Sequence, residues 1–288
     1  MQILIFGLGY SARFFADRFM ASDVRITGTV RTQEKIDRLH HSQTSLRRFN
    51  GTGFDDVLIR DIKSANACLV SIPPDAQGDP VLRSFYNALA QASHLKWIGY
   101  LSTVGVYGNH NGAWVNEETP CNPMSIRSHQ RLKAEQAWLD FADTTEKTVH
   151  ILRLSGIYGP NKNALINLKN GTARRIIKPD QVFNRIHVKD IAGAAYTALH
   201  SQETTGIYNV TDDEPAPPQD VVAYAARLMN VPIPPDTPFE AAPLSDMGRE
   251  FYSENKRVSN SRLKNALGYN LIYRTYREGL TALQCARD

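Results

Sequence analysis

Residues 2–12 read Gln2-Ile3-Leu4-Ile5-Phe6-Gly7-Leu8-Gly9-Tyr10-Ser11-Ala12, and the fold turns on how they are read. An apolar, strand-like run ends in a GxGxxA turn. Residues 11–20 follow with Phe14, Phe15, Phe19 and Met20 at helical spacing. In a strand–turn–helix unit each small residue has a task. Gly7 permits the tight turn, Gly9 lets the backbone approach a pyrophosphate, and Ala12 lets the helix pack close to the sheet. The start of the helix, at Tyr10 and Ser11, offers free N–H groups and a positive dipole end to phosphate. The plainer reading is a tight turn that binds nothing. The position between a strand and a helix favours the dinucleotide.

Outward from this turn, strand and helix patterns alternate. Residues 24–30 predict a second strand, 33–40 a helix and 46–50 a short third strand. Residues 67–72 predict a fourth strand stopped by Pro73-Pro74, 80–93 a helix and 96–102 a fifth strand. This order predicts an α/β fold, a doubly wound parallel sheet of Rossmann type with helices on both faces. Residues 104–122 read as loop. Asn122 and Pro123 look like the cap and first residue of a helix running to Phe141, and 149–154 is a further strand. After Gly159-Pro160 the pattern loosens, with helices expected at 221–229 and near 275–285. The expected division is a dinucleotide-binding domain over 1–160 and a smaller substrate lobe over 161–288, interleaved with the sheet near 183–212.

Composition narrows the function. The net charge of +4 is dispersed, with no Lys/Arg block to track a phosphate backbone, so nucleic acid is not an expected partner. Three cysteines without CxxC spacing make neither a disulfide framework nor a zinc site, and no metal is expected. No membrane span or signal peptide is read, and a reducing, cytoplasmic setting is expected. The end of the second strand chooses the cofactor. An acidic residue there would favour NAD; this chain has Val30-Arg31-Thr32 instead, which suits a 2′-phosphate and favours NADP over NAD. Asn50, Ser71, Ile72 and Pro73, after the third and fourth strands, are expected on the same sheet edge as further cofactor contacts.

Further segments carry a family resemblance. Tyr100-Leu101-Ser102-Thr103-Val104-Gly105-Val106-Tyr107-Gly108, Glu117-Glu118-Thr119-Pro120, Arg153-Leu154-Ser155-Gly156-Ile157-Tyr158-Gly159-Pro160 and Arg185-Ile186-His187-Val188-Lys189-Asp190 occur in that order. Tyr208-Asn209-Val210 and Leu267-Gly268-Tyr269 follow. Together they resemble the extended short-chain dehydrogenases, the NAD-dependent epimerase/dehydratase family. The departure lies where that family carries Tyr-x-x-x-Lys. The run Arg131-Leu132-Lys133-Ala134-Glu135 puts Arg131 in the lysine slot and Arg127 in the tyrosine slot. A shifted reading, His129-x-x-x-Lys133, ranks second. In this respect the chain resembles the atypical branch of the family, which lacks the tyrosine.

The resemblance implies a hydride-transferring oxidoreductase or epimerase-like enzyme acting on a small polar, anionic carbonyl or hydroxyl compound. Thr103, with Ser102 beside it, would polarise the substrate oxygen. Arg131 would hold the cofactor, and Arg127 would clamp the anionic group of the substrate. An arginine stays protonated, so His129, a tyrosine or water would move the proton. Tyr107, Arg175 and His187 are further candidate substrate contacts. Each has a plainer reading: a salt-bridged helix face for the arginines at four-residue spacing, a strand-end hydroxyl for Thr103, a packed histidine for His187. The alternative function is a non-catalytic NADP(H)-binding redox sensor or regulator. The family habit implies a homodimer through the helix expected at 123–141.

Overall fold

The computed structural model describes residues 1–39, 44–53 and 55–286. The first strands and helices alternate as β1 Gln2–Phe6, α1 Tyr10–Asp17, β2 Arg25–Val30, α2 Gln33–Leu39, β3 Ser45–Arg48, α3 Asp56–Ser64, β4 Ala67–Val70, α4 Pro80–Gln91 and β5 Trp97–Thr103. Then come β6 Trp114–Val115, α5 Ile126–Thr144, β7 Thr148–Leu154, β8 Gly156–Tyr158, α6 Ala164–Lys169, β9 Arg175–Ile177, β10 Arg185–His187, α7 Val188–His200 and β11 Gly206–Val210. The chain ends with α8 Pro218–Leu228, β12 Asp236–Pro238, α9 Asp246–Ser253, β13 Arg257–Val258, α10 Ser261–Asn265 and α11 Tyr276–Cys285. The expected end of the second helix at His40 lies outside the described residues.

Among the described residues the central sheet has seven strands in the order β3-β2-β1-β4-β5-β7-β11, and every neighbouring pair is parallel. Successive side chains on a strand point to opposite faces, so a sheet covered on both sides carries two apolar layers. Ile3 and Ile5 of β1 enter the layer under α1, α2 and α7, with Phe15, Ile36 and Ile191. Leu4 and Phe6 enter the layer under α3, α4 and α5, with Leu58, Val81 and Trp138. The connections reverse direction between β1 and β4, which opens a crevice at the carboxyl ends of the strands.

Two local features differ from the pattern read in the sequence. α5 begins at Ile126, and its cap is Ser125, whose hydroxyl accepts from the Ser128 N–H at 3.1 Å. Asn122 is loop: its N–H donates to the Tyr107 carbonyl at 3.3 Å. A Cβ at Gly108 would sit 1.8 Å from the Asn122 carbonyl oxygen, so this close backbone contact requires glycine. The stretch 104–122 also holds a 3-10 turn, Val104–Tyr107, and β6, which pairs with β13.

The second half is built from short parallel pairs, β8 with β10 and β9 with β12. α6, α8 and α11 pack around Leu165, Ala225 and Leu280. β11 pairs with β7 at the edge of the central sheet, and α7 lies against α1. The later chain therefore overhangs the carboxyl ends of β5 and β7.

Candidate functional site

The first turn is held by backbone contacts that leave its helix end free. Gly7 has φ +89°, and its N–H donates to Thr29 Oγ1 at 2.9 Å. A Cβ there would lie 2.9 Å from Ile72 Cγ1, so the turn packs directly on the end of β4. Gly9 is the cap residue of α1, with no side-chain cap. A Cβ at Gly9 would meet nothing nearer than the Gly7 carbonyl oxygen at 3.9 Å, so no protein atom crowds the space before the helix N-terminus. This cradle fits a pyrophosphate.

A cavity of about 460 Å³ opens at this point. Gly7, Gly9, Arg31, Thr32, Asn50, Ser71, Ile72 and Pro73 all line it, so the structure brings together residues from four strand ends. Thr32 Oγ1 accepts from the Lys35 N–H at 3.3 Å, which turns Lys35 to the same cavity. Arg83 ties its walls, donating to Asp75 Oδ1 at 2.9 Å and to the Gly51 carbonyl at 3.1 Å. Tyr10, Ser11 and Ala12 do not line it. Ser11 and Ala12 are buried in α1, and the Tyr10 hydroxyl donates to the Pro160 carbonyl at 2.9 Å. What they offer at the turn is backbone.

Pro73, Pro74 and Asp75 also line a second cavity of about 640 Å³, which holds Thr103, Arg127 and Arg131. Arg131 Nη1 donates to the Tyr100 hydroxyl and the Leu101 carbonyl, both at 3.0 Å, which fixes the guanidinium under the end of β5. Arg127, one helical turn earlier, is exposed and reaches Met247 Sδ at 3.5 Å. Thr103 Oγ1 accepts from the Gly105 N–H at 3.1 Å. His129 stands about 200° round the helix from Arg127. It is exposed, as is Lys133, and neither lines the cavity. The shifted reading of the helix thus places its acid/base and its lysine on the face turned from the cleft.

Other candidates belong to the interior. Ser102 is buried and donates to Glu135 in a short hydrogen bond. Glu135 in turn is paired with buried Arg153, Oε2 to Nη2 at 2.7 Å. The Arg153 guanidinium lies 4.8 Å from the centre of the Tyr107 ring, and the Tyr107 hydroxyl donates to Asn209 Oδ1 at 2.8 Å. Burial pushes the Tyr107 phenol up to about 12. These residues clamp β5, α5, β7 and β11 together. His187 is also an interior group. Its Nδ1 accepts from the Lys189 N–H at 3.2 Å and caps α7. Its ring lies between Tyr158 and Tyr273, with centroids 5.1 and 4.3 Å away. Burial lowers its pKa to about 4. Arg175 pairs with Asp236 and donates to the Pro234 carbonyl at 3.2 Å, joining β9 to β12 away from the cleft.

A third cavity, about 780 Å³, shares Thr103, Gly105, Phe251 and Glu254 with the second. Its walls come from β8, β10 and the segment from α9 to β13, and they include Arg185, Phe251, Glu254 and Lys256. None of the last three carries a signal in the sequence. Glu254-Asn255-Lys256 reads as an ordinary polar loop until the fold lays it over Thr103. Lys256 is buried, and its Nζ donates to the Gly108 carbonyl at 2.8 Å and to Glu254 Oε2 at 2.5 Å. Among the described residues no His/Cys/Asp/Glu group could hold a metal ion, and no helix is long and apolar enough to cross a membrane.

Comparison with known proteins places the fold. The model of the NAD dependent epimerase/dehydratase family matches residues 87–211. The structure of a functionally unknown conserved protein from Silicibacter pomeroyi superposes with a TM-score of 0.90 at 42% identity, covering 100% of this chain and 99% of the other. The dTDP-glucose 4,6-dehydratase of Bacillus anthracis, solved with NAD, superposes with a TM-score of 0.78 at 19% identity over 99% and 96% of the two chains, a likeness of fold. A 3-diazoavenalumate denitrifying reductase from a Streptomyces species is 33% identical over 140 residues, and the match spans less than half of that reductase, 45% of each chain.

Proposed function

We propose, from the match of residues 87–211 to the NAD dependent epimerase/dehydratase family, an NADP-dependent oxidoreductase acting on a small polar, anionic carbonyl or hydroxyl compound. The observation that carries this reading is that the three cavities are neighbours with shared walls. Pro73, Pro74 and Asp75 join the first to the second, and Thr103 and Gly105 join the second to the third. A dinucleotide seated on the α1 N-terminus would extend past Pro73–Asp75 toward Thr103, with the third cavity beyond it as substrate space.

A nicotinamide cofactor supplies or accepts the hydride. The chain binds and orients. The turn at Gly7–Gly9 takes the pyrophosphate, and Arg31 with Thr32 takes a 2′-phosphate, a charge that NAD would leave unused. Arg131 retains Nε and Nη2 for the cofactor. The Thr103 hydroxyl accepts from the Gly105 N–H, which leaves its own proton for the substrate oxygen. Arg127, at the open rim, attracts an anionic substrate as it enters the cleft. Neither arginine releases a proton at neutral pH, and His129 faces away, so solvent water reaching the cleft carries the proton. The three cysteines are free thiols, in keeping with a cytoplasmic setting.

The test is titration with NADP(H) and NAD(H), then a metabolite screen with the tighter cofactor. Thr103→Ala is expected to leave cofactor affinity and folding unchanged and to lower turnover roughly 100-fold. Full turnover in that variant, or no cofactor binding, would remove the basis of the reading. A second reading, an NADP(H)-binding redox sensor, is favoured by the arginines that stand where a proton-transferring pair would be. Tight cofactor binding with no turnover of any metabolite would support it.

A further inference from the structure

The third cavity carries a chemical preference of its own. Four uncharged polar side chains other than tyrosines line it: Thr103, Ser155, Asn167 and Asn184. Two of them are turned to backbone. Asn184 donates to the Lys256 carbonyl at 2.9 Å and accepts from the Val258 N–H at 2.8 Å, and Ser155 donates to the Val210 carbonyl at 3.3 Å. The exposed wall of the cavity is mainly apolar, and each sugar hydroxyl buried against it without a partner would be costly.

The charged groups differ in their commitments. Lys256 is neutralised by Glu254. Arg185 has no carboxylate within ion-pair distance among the described residues. Its Nη1 donates to the Phe183 and Ala216 carbonyls at 2.9 and 3.0 Å, which leaves Nε and Nη2. The Asp212 carboxylate acts on the Arg185 charge from beyond ion-pair contact, and a guanidinium that lines a cavity with two adjacent donors uncommitted suits a planar anion taken in two parallel hydrogen bonds. Phe251 of α9 also lines the cavity and is 65% exposed, so its ring is largely free of protein contacts.

We propose that this cavity takes an aromatic carboxylate, with the carboxylate on Arg185 and the ring against Phe251, in place of the sugar of a sugar nucleotide. The proposal rests on the oxidoreductase reading for its reaction, while the cavity itself can be tested without turnover.

The experiment is calorimetric titration of the full chain, with and without saturating NADPH. The probes are trans-cinnamate, its neutral amide cinnamamide, and UDP-glucose. The expected result is binding of cinnamate, with cinnamamide about 30-fold weaker and UDP-glucose silent. Arg185→Gln is expected to weaken cinnamate about 30-fold with NADPH affinity unchanged, and Phe251→Ala to weaken cinnamate about 5-fold in the titration without cofactor. Arg185 also braces two backbone carbonyls. If its variant fails to fold, the exposed Phe251 variant and the acid–amide comparison still decide. Binding of UDP-glucose, absence of cinnamate binding, or cinnamate affinity indifferent to both the charge and Phe251 overturns the proposal. A failure to bind NADPH overturns the oxidoreductase reading, and the cinnamate titration without cofactor then judges this proposal separately.

Discussion

Replacing Glu135 by glutamine is expected to be among the most destabilising single changes in this fold. Glu135 and Arg153 are 1% and 3% exposed, so water screens neither. Arg153 Nε donates to both carboxylate oxygens at 3.2 and 3.1 Å, and Nη2 donates to Oε2 at 2.7 Å. Arg153 Nη1 has no partner, so the guanidinium already lacks one hydrogen bond. Glutamine keeps the size of the side chain and removes its charge, which leaves a buried cation uncompensated. Breaking a buried pair in this way costs about 3–5 kcal/mol, a large share of a total stability of about 5–15 kcal/mol. For a chain of this size the melting temperature is expected to fall by roughly 6–20 °C. Urea denaturation should show a lower midpoint at unchanged slope. Ser102→Ala removes only one hydrogen bond to the carboxylate, and about 1.5–3 kcal/mol is expected. The double replacement Glu135→Leu with Arg153→Met removes both charges and should recover most of the loss, because the desolvation of both ions disappears with them. A Glu135→Gln protein that melts within about 2 °C of the wild type would refute the assignment of this pair as a structural clamp.

Gly9→Val should leave thermal stability within about 1 kcal/mol, since φ at Gly9 is −89° and the added Cβ meets only the Gly7 oxygen. It should nonetheless abolish cofactor binding by filling the space before the helix; a cofactor titration matching the wild type would count against that placement. Arg31→Ala should weaken NADP(H) at least about 10-fold and leave NAD(H) nearly unchanged. Equal losses for both cofactors would remove Arg31 from the 2′-phosphate. His187 supplies a pH test. Its folded pKa, lowered by burial to about 4 from 6.5, means that the unfolded chain takes up the proton first as pH falls. Stability is therefore fully present above about 6.5 and is lost down to about 4, by roughly 3 kcal/mol. His187→Asn keeps an acceptor for the α7 cap and does not titrate, so its melting curves should lose less over that window; parallel curves would contradict the reasoning.

The parts of the molecule legible in the sequence are those whose cause is local. The turn at Gly7–Ala12 needs only a strand before it and a helix after it, and residues at strand ends follow from strand positions. That is why Arg31, Thr32, Asn50, Ser71, Ile72 and Pro73 meet around one cavity. Apolar runs of four to seven residues between helical stretches foretold a parallel sheet. The start of α5 was misplaced because Asn122-Pro123 is a good local cap. The tertiary contact of Asn122 with Gly108 holds it as loop and passes the cap to Ser125.

Burial of polar side chains was not legible in the same way. Ser102 and Thr103 are neighbours on β5, yet alternation sends Ser102 inward to Glu135 and leaves Thr103 at the cleft. Tyr107, His187 and Arg175 look like ligand contacts as residue types, and the fold uses them as a clamp, a helix cap and a strand tie. Arg185, Phe251, Glu254 and Lys256 are the converse case. All four lie far from Thr103 in sequence, only Arg185 falls within a motif run, and they share the cavity because β10 and the α9–β13 segment overhang the end of β5. The sequence by itself determined the doubly wound sheet and its phosphate-binding edge, since strand alternation and a glycine turn act over a few residues. Only the tertiary structure decided which polar side chains line the cleft, because that depends on contacts between segments far apart in the chain.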